Sequence, residues 1–428
     1  MNVVMNGTLF VGSLLLLVLP GLSNAEEFPE ALSKKGLQVE IIDDALALGI
    51  KHAAINVNLA QMAVVEPTSK AALTWTFEGV DYHYRRSYVE GLDRKIGPLS
   101  EKGVLVYLII LVYQSHDEAI NQLLLHAGYD RTAPNRLGAF NTSSQEGRDW
   151  LKATMAFMAA RWSPNASPHG RAVGYILGNE VNSHWWWSNM GKVSMETFTA
   201  SYAQAMRLAH EGIRSQAAWP RLYVSLEHHW NIRYAAGSDQ QAFPGRAFLD
   251  LFARVIREGE GGDFDWQVAF HPYPENLFKP GFWEDKTATD GPDTPRITFK
   301  NLDQLMAALK KPALQYQGKP RRVILSEQGF HTPDGEEGER VQAAAYCYAY
   351  RLVEQQAGID AFILHRHVDH PREGGLRLGL RRYLPDEPEQ RPAKLIYDCF
   401  RLADTPQWEE AFRFALPIVA RTAWPVAK

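Results

Sequence analysis

Seven apolar stretches of this chain run into side chains that a buried strand would not select. The groups are Asn56 and Asn58; Gln114, Ser115 and His116; Asn179, Glu180 and Asn182; Glu227, His228, His229, Trp230 and Asn231; His271 and Tyr273; Glu327, Gln328 and His331; and His365, Arg366, His367 and Asp369. Burying any of them without a partner costs roughly 1–3 kcal/mol. Gathered at one end of a fold they are best satisfied by a polar pocket. Carboxylates, imidazoles and a phenol can move protons, attack electrophilic carbon and hold hydroxyl groups. The set also contains ligand types that suit zinc: His228 with His229, and His365 and His367 with Asp369 and His370. Alternate residues of a strand share a face, which would bring His365 and His367 together.

The elements that must position these groups are eight apolar runs at 36–41, 52–59, 104–113, 172–181, 221–230, 264–273, 322–330 and 361–368. Several are almost continuously hydrophobic, as strands buried on both faces should be. Amphipathic stretches alternate with them, at 146–162, 195–216, 248–259, 301–311 and 340–356. The alternation predicts an α/β protein with a parallel sheet and helices outside. Eight such units predict a closed (β/α)₈ TIM barrel. Two insertions interrupt the pattern, a hairpin over 66–85 and a Pro/Gly/Asp-rich loop over 274–300. Both would leave the C-terminal ends of strands, the face on which barrels build their sites. Residues 384–428 read as an appendage packed onto the barrel. The whole of 26–428 reads as one domain.

Two of the polar strand ends carry a resemblance. ILGNEVN (176–182) sets an Asn-Glu pair after the fourth run, and VILSEQGF (323–330) sets a Glu after the seventh. This resembles the clan A glycoside hydrolases, retaining (β/α)₈ enzymes with an Asn-Glu acid/base on strand four and a Glu nucleophile on strand seven. AFHPYP (269–274) is similar to the His-x-Tyr region of that clan, whose Tyr supports the nucleophile. The wider sequence resembles a family of glycosidase-like barrels known only as a domain of unknown function. The resemblance implies hydrolysis of O-glycosidic bonds in an oligo- or polysaccharide, with Glu180 as acid/base and Glu327 as nucleophile. It gives Asn179 a contact to the sugar 2-hydroxyl and Tyr273 a hydrogen bond to Glu327. His271, Asn58, His229, His365 and His367 complete the expected sugar-binding set. The sequence departs from the clan where an Arg is usual on strand two, replaced here by Asn56 and Asn58. It departs again at the end of strand eight, where His365-Arg366-His367 stands in place of a Trp.

The surroundings should separate the two carboxylates. Glu180 follows AVGYIL and precedes a Trp-rich loop, so burial should raise its pKa. Glu327 has Tyr273 and His271 nearby, which favour its charged form. Trp185, Trp186 and Trp187 cannot all face one core. Trp185 and Trp186 are the expected sugar platforms, with Trp230 and Trp283 as weaker candidates of the same kind.

Composition narrows the alternatives. Hydrophobic residues make up 46% and charged residues 22%, which fits a packed globular chain. A net charge of −4 with no basic stripe argues against a nucleic-acid partner. Residues 9–22 form an apolar run followed by Ser23-Asn24-Ala25, the pattern of a secretory signal cut after Ala25. The n-region before the run has no Lys or Arg. This predicts export and no stable membrane span in the processed protein. Cys347 and Cys399 lie in apolar helical patterns and are expected to be free buried thiols. No cofactor is called for. Two other readings compete: a barrel that only binds glycans, and a metal-dependent hydrolase built on the His-rich strand ends. The second is disfavoured because amidohydrolase-like barrels carry their His-x-His on the first strand.

Overall fold

The computed structural model describes residues 28–66 and 71–425. The expected signal segment therefore lies outside the described residues. Eight parallel strands close on themselves: β1 (Lys35–Gln38), β2 (His52–Asn58), β3 (Leu105–Tyr113), β4 (Ala172–Leu177), β5 (Arg221–Glu227), β6 (Trp266–His271), β7 (Val323–Gln328) and β8 (Ile359–Leu364). Each pairs with its neighbours in chain order, and β1 with β8 closes the barrel. A helix follows each strand: α1 (Ile42–Ala47), α2 (Arg86–Glu101), α3 (Gln145–Trp162), α4 (Met195–Arg214), α5 (Gly245–Glu258), α6 (Leu302–Leu309), α7 (Glu336–Glu354) and α8 (Leu395–Leu402). The molecule is a (β/α)₈ barrel.

The nearly unbroken apolar runs have a structural reason. Inward residues such as Ala54, Tyr107, Ile109, Ile176, Tyr223 and Ile324 fill the barrel, while outward ones such as Val106, Leu108, Tyr175 and Val224 meet the helices. Gly174 makes room for the large rings: a Cβ there would sit 2.7 Å from Tyr107 and 2.8 Å from Tyr223. At the barrel floor, the Arg221 guanidinium lies 3.6 Å from the Phe28 ring centroid.

The insertion after β2 is an antiparallel hairpin of Ala72–Phe77 and Val80–Arg85. Its Tyr84 stacks on Phe157 of α3 at 4.3 Å. The loop after β6 is pinned by Glu275, whose Oε2 accepts from the Lys286 and Thr287 amides at 3.0 and 2.8 Å. The C-terminal segment shares the barrel's outer core through Phe400, Phe412 and Ala415. Arg351 of α7 stacks 3.4 Å from the centroid of Trp408. Cys347 and Cys399 are free and buried. Among the described residues, no helix is long and apolar enough to cross a membrane.

Candidate active site

The end of β4 sets the first functional side chain. After Leu177 the chain turns through Gly178 at φ 82° and then Glu180 at φ 41°. A side chain on Gly178 would be strained at that φ and would press on Val181 at 3.0 Å. Glu180 tolerates the left-handed conformation because its surroundings hold it. Its N–H donates to Ser225 Oγ at 3.0 Å, and Tyr202 of α4 donates to the Leu177 carbonyl at 2.7 Å. A strained non-glycine residue at a strand end is characteristic of functional sites.

Glu327 projects from β7 into the same pocket. One oxygen of Glu180, one of Glu327 and one ring nitrogen of His271 all lie within 4.8 Å of one another. His271 bridges the two strand ends: Nδ1 meets Glu180 Oε1 at 2.9 Å, and Nε2 meets Ser326 Oγ at 2.9 Å. Glu327 Oε1 accepts from the Tyr273 hydroxyl at 3.3 Å, and its Oε2 accepts from Gln38 Nε2 at 3.4 Å. Burial raises the pKa of Glu180, and the nearby charges of Glu327 and Glu227 add to this against the opposing pull of His271. Burial also pushes Glu327 upward, but His365, His271 and the Gln38 hydrogen bond outweigh it, and its pKa falls below the ordinary value. Two carboxyl groups of one kind thus have opposite proton affinities.

The cavity above the pair measures about 230 Å³. Trp186, Trp187, Tyr234, Leu277, Leu376 and Leu378 give it apolar walls, and Glu227, His228, His229, His365 and Glu373 give it polar ones. Glu227 is fully engaged. Oε1 accepts from Asn182 Nδ2 and Ser183 Oγ at 2.8 and 2.9 Å, and Oε2 accepts from the His229 amide at 2.8 Å and meets His229 Nδ1 at 2.5 Å. Burial opposes its charge, but these contacts win and hold its pKa at about 2. His365 Nδ1 contacts Gln38 Oε1 at 2.7 Å, and Nε2 contacts Glu373 Oε1 at 2.9 Å. Burial holds His228 neutral at a pKa of about 4.

Of the residues singled out in the sequence, Glu180, Glu327, His271, Tyr273, His229, His365 and Trp186 meet in or directly around this pocket. Asn179 precedes Glu180 and is buried, with no side-chain hydrogen bond to any described residue. Three expected residues go elsewhere. Trp185 is buried beneath Lys192, whose Nζ lies 5.8 Å from its ring centroid, and Trp187 takes its place on the wall. The three tryptophans sit in the short helix His184–Trp187, so successive rings point in different directions. His367 is fully buried, with Nε2 on Asp44 Oδ2 at 2.7 Å. Because β8 ends at Leu364, the alternation that would have aligned His365 with His367 does not apply. Asn58 caps the short helix after β2 by accepting from the Ala60 amide at 3.0 Å, and it lines a separate cleft. Trp230 and Trp283 pack into the outer core rather than at the mouth.

Glu227, His228, Trp187, Tyr234, Ser183 and Glu373 are wall residues outside the sequence-derived site. The fifth strand end carried a signal for Glu227 and His228. Tyr234 and Glu373 come from irregular loops with no periodic pattern. Of the two side-chain sets that could suit a metal, Glu227, His228 and His229 bring one ligand atom each within 4.8 Å of one another, whereas the set at the end of β8 does not come together. His365, His367 and Asp369 diverge, Asp369 being held by Lys394 at 2.7 Å. The donor atoms of Glu227 and His229 are already taken, the second His229 nitrogen by Arg296 at 3.2 Å.

Fold and site define a (β/α)₈ barrel with paired carboxylates at its C-terminal mouth, the fold of many glycoside hydrolases. The chain belongs to the family of unknown function DUF5722, whose profile matches residues 27–427. Three solved structures illustrate the likeness. The hyperthermophilic beta-glucosidase from Pyrococcus furiosus is 15% identical, with a TM-score of 0.53 over 88% of this chain and 86% of its own. The beta-glycosidase from Thermosphaera aggregans is 14% identical, with a TM-score of 0.55 over 86% of both chains. A family 39 glycoside hydrolase from Bacteroides cellulosilyticus WH2 is 14% identical, with a TM-score of 0.51 over 84% of this chain and 59% of its own. At these identities the likeness is one of fold. No curated protein sequence matches the chain.

Proposed function

We propose that this chain is a retaining O-glycoside hydrolase acting on an oligo- or polysaccharide. The observation that carries the reading is the facing pair Glu180 and Glu327, with oxygens within 4.8 Å and opposite shifts in proton affinity. Double displacement needs carboxyl groups about 5–5.5 Å apart, whereas direct displacement by water needs about 6.5–9.5 Å. Glu327, ionised and oriented by Tyr273 and Gln38, attacks the anomeric carbon. Glu180 gives its proton to the departing oxygen, and the developing Glu180 carboxylate is met by His271 Nδ1. In the second step Glu180 takes a proton from water, which attacks the anomeric carbon and releases Glu327. Trp186 and Trp187 supply apolar surface for the sugar faces.

A screen of polysaccharides, with the anomeric form of the first product read by NMR, tests this. Retained configuration supports the reading and inversion overturns it. Binding without turnover would make the chain a glycan-binding barrel instead. Glu327→Ala should abolish turnover, with partial rescue by azide as a small external nucleophile. Full activity in that variant would remove Glu327 from its role. Glu180→Ala should lose about 10²–10⁴-fold on poor leaving groups and far less on activated aryl glycosides, which need no proton. The reverse pattern would exchange the two roles. We also propose that residues 1–25 direct export as one chain with the 26–428 domain. Sequencing the mature N-terminus from the native host tests it.

A further inference from the structure

A second cleft of about 870 Å³ opens at the same barrel mouth, beside the ends of β2 and β3. Three observations place it against the carboxylate pocket. Tyr113 lines it and lies close enough to Glu327 for that charge to raise its own pKa, after burial. Asn135 lines it and donates to the carbonyl of Trp186, a wall residue of the pocket, at 3.3 Å. Arg372 lines it and immediately precedes Glu373 of the pocket wall.

The two cavities differ in charge. The carboxylate pocket is lined by Glu180, Glu227, Glu327 and Glu373. Among the described residues that line the second cleft there is no carboxylate, while Lys95, Arg136 and Arg372 are all present. All three are exposed, and none makes a salt bridge or a side-chain hydrogen bond to a described residue. Amides such as Asn56, Gln61 and Gln114 complete the lining and suit sugar hydroxyls. Unpaired guanidinium groups in a concave, amide-lined site match planar or tetrahedral oxyanions. Of the four acids in the carboxylate pocket, Glu227, Glu327 and Glu373 are held in the charged form by their neighbours and repel the same anions.

We propose that this cleft is a flanking subsite for an anionic sugar unit, bearing a carboxylate or a sulfate ester, within a polysaccharide whose uncharged unit occupies the carboxylate pocket. The proposal rests on the glycosidase reading and names its substrate class. The test is affinity electrophoresis in native gels containing hyaluronate for the carboxylate arm and κ-carrageenan for the sulfate arm, each of which alternates a charged unit with an uncharged one, and dextran as the neutral reference. Glu327→Ala serves as the bound species, so that turnover does not erode the signal. The expected result is retardation by at least one charged polymer and none by dextran. Adding Arg136→Gln and Arg372→Gln should weaken binding by about ten-fold or more. Adding Lys310→Gln and Lys311→Gln instead, the same charge change on exposed lysines away from the mouth, should leave it unchanged. No retardation by any charged polymer, equal affinity in the cleft variant, or an equal loss in the lysine variant overturns the proposal. The two readings fail separately. Charged-polymer binding without hydrolysis of any polysaccharide counts against the glycosidase, and hydrolysis of neutral chains without charged-polymer binding counts against the subsite.

Discussion

At the scale of single residues, His271 acts on the proton affinities of both carboxyl groups. It touches Glu180 directly and sits between the two strand ends. Burial works against its positive charge, but the hydrogen bond to Glu180 and the charges of Glu327 and Glu180 outweigh that and raise its pKa. In the mechanism proposed above, the reacting form has Glu327 ionised and Glu180 protonated. The dependence of kcat/KM on pH should therefore be bell-shaped, with an acidic limb from Glu327 and an alkaline limb from Glu180. The imidazole lowers the pKa of both carboxyl groups. In His271→Ala both limbs should move to higher pH. An alkaline limb that stays in place, measured on any hydrolysed substrate, would detach His271 from Glu180. A side chain that only supported the fold would lower activity without moving the limbs.

At the scale of elements, the strand ends carry the site, and β4 carries it under strain. Glu180 holds φ 41° and ψ 49°, a region that costs a residue with a Cβ about 1 kcal/mol or more and costs glycine little. Glu180→Ala and Glu180→Gly both delete the carboxylate, so the difference between them isolates the backbone. The glycine variant should be the more stable by about 1 kcal/mol, on the order of 2 °C in Tm. Equal melting temperatures would mean that the turn relaxes once the side chain is gone. These strand ends were legible in the sequence for a physical reason. A strand buried on both faces reads as an apolar run, and a polar residue at its end has to answer to something. The runs ending at Glu180 and Glu327 therefore pointed to one mouth, where the two side chains meet, and the hairpin after β2 followed from its composition. Direction around a helix turn was not legible, so Trp185 was expected where Trp187 stands. The point at which β8 stops was not legible either, and that made His367 look like a partner of His365. Glu373 is placed by an ion pair with Arg366 at 3.0 Å, a contact between loop residues that no periodicity announces.

At the scale of the molecule, a closed barrel has a seam where the first strand meets the last, and here Asp44 secures it. Asp44 lies in α1. It accepts from Arg381 Nε and Nη2 at 2.7 and 2.6 Å, from the Tyr397 hydroxyl at 2.7 Å, and meets His367 Nε2 at 2.7 Å. All three partners lie beyond β8, so one carboxylate ties the start of the barrel to its end. Burial opposes the charge, yet the bonds from Arg381, His367 and Tyr397 hold its pKa well below the ordinary value of 3.8. A carboxylate depressed in the folded state stabilises the fold at pH above its unfolded pKa and ceases to as the pH falls through its folded pKa. Glu227, depressed from 4.5 to about 2, acts in the same direction. The protein should therefore lose stability progressively below about pH 4.5 as the unfolded chain takes up protons that the folded chain refuses. Asp44→Asn removes one source of that dependence. At neutral pH it should cost about 3 kcal/mol, the order expected when one partner of a largely buried ion pair is deleted. The gap between wild type and variant should narrow as the pH falls toward 2, because protonation takes from the wild type what the substitution has already taken from the variant. Urea unfolding of both proteins at pH 7, 4 and 3 measures it. A gap of equal size at all three values would mean that Asp44 acts through packing alone and that its charge does not hold the seam.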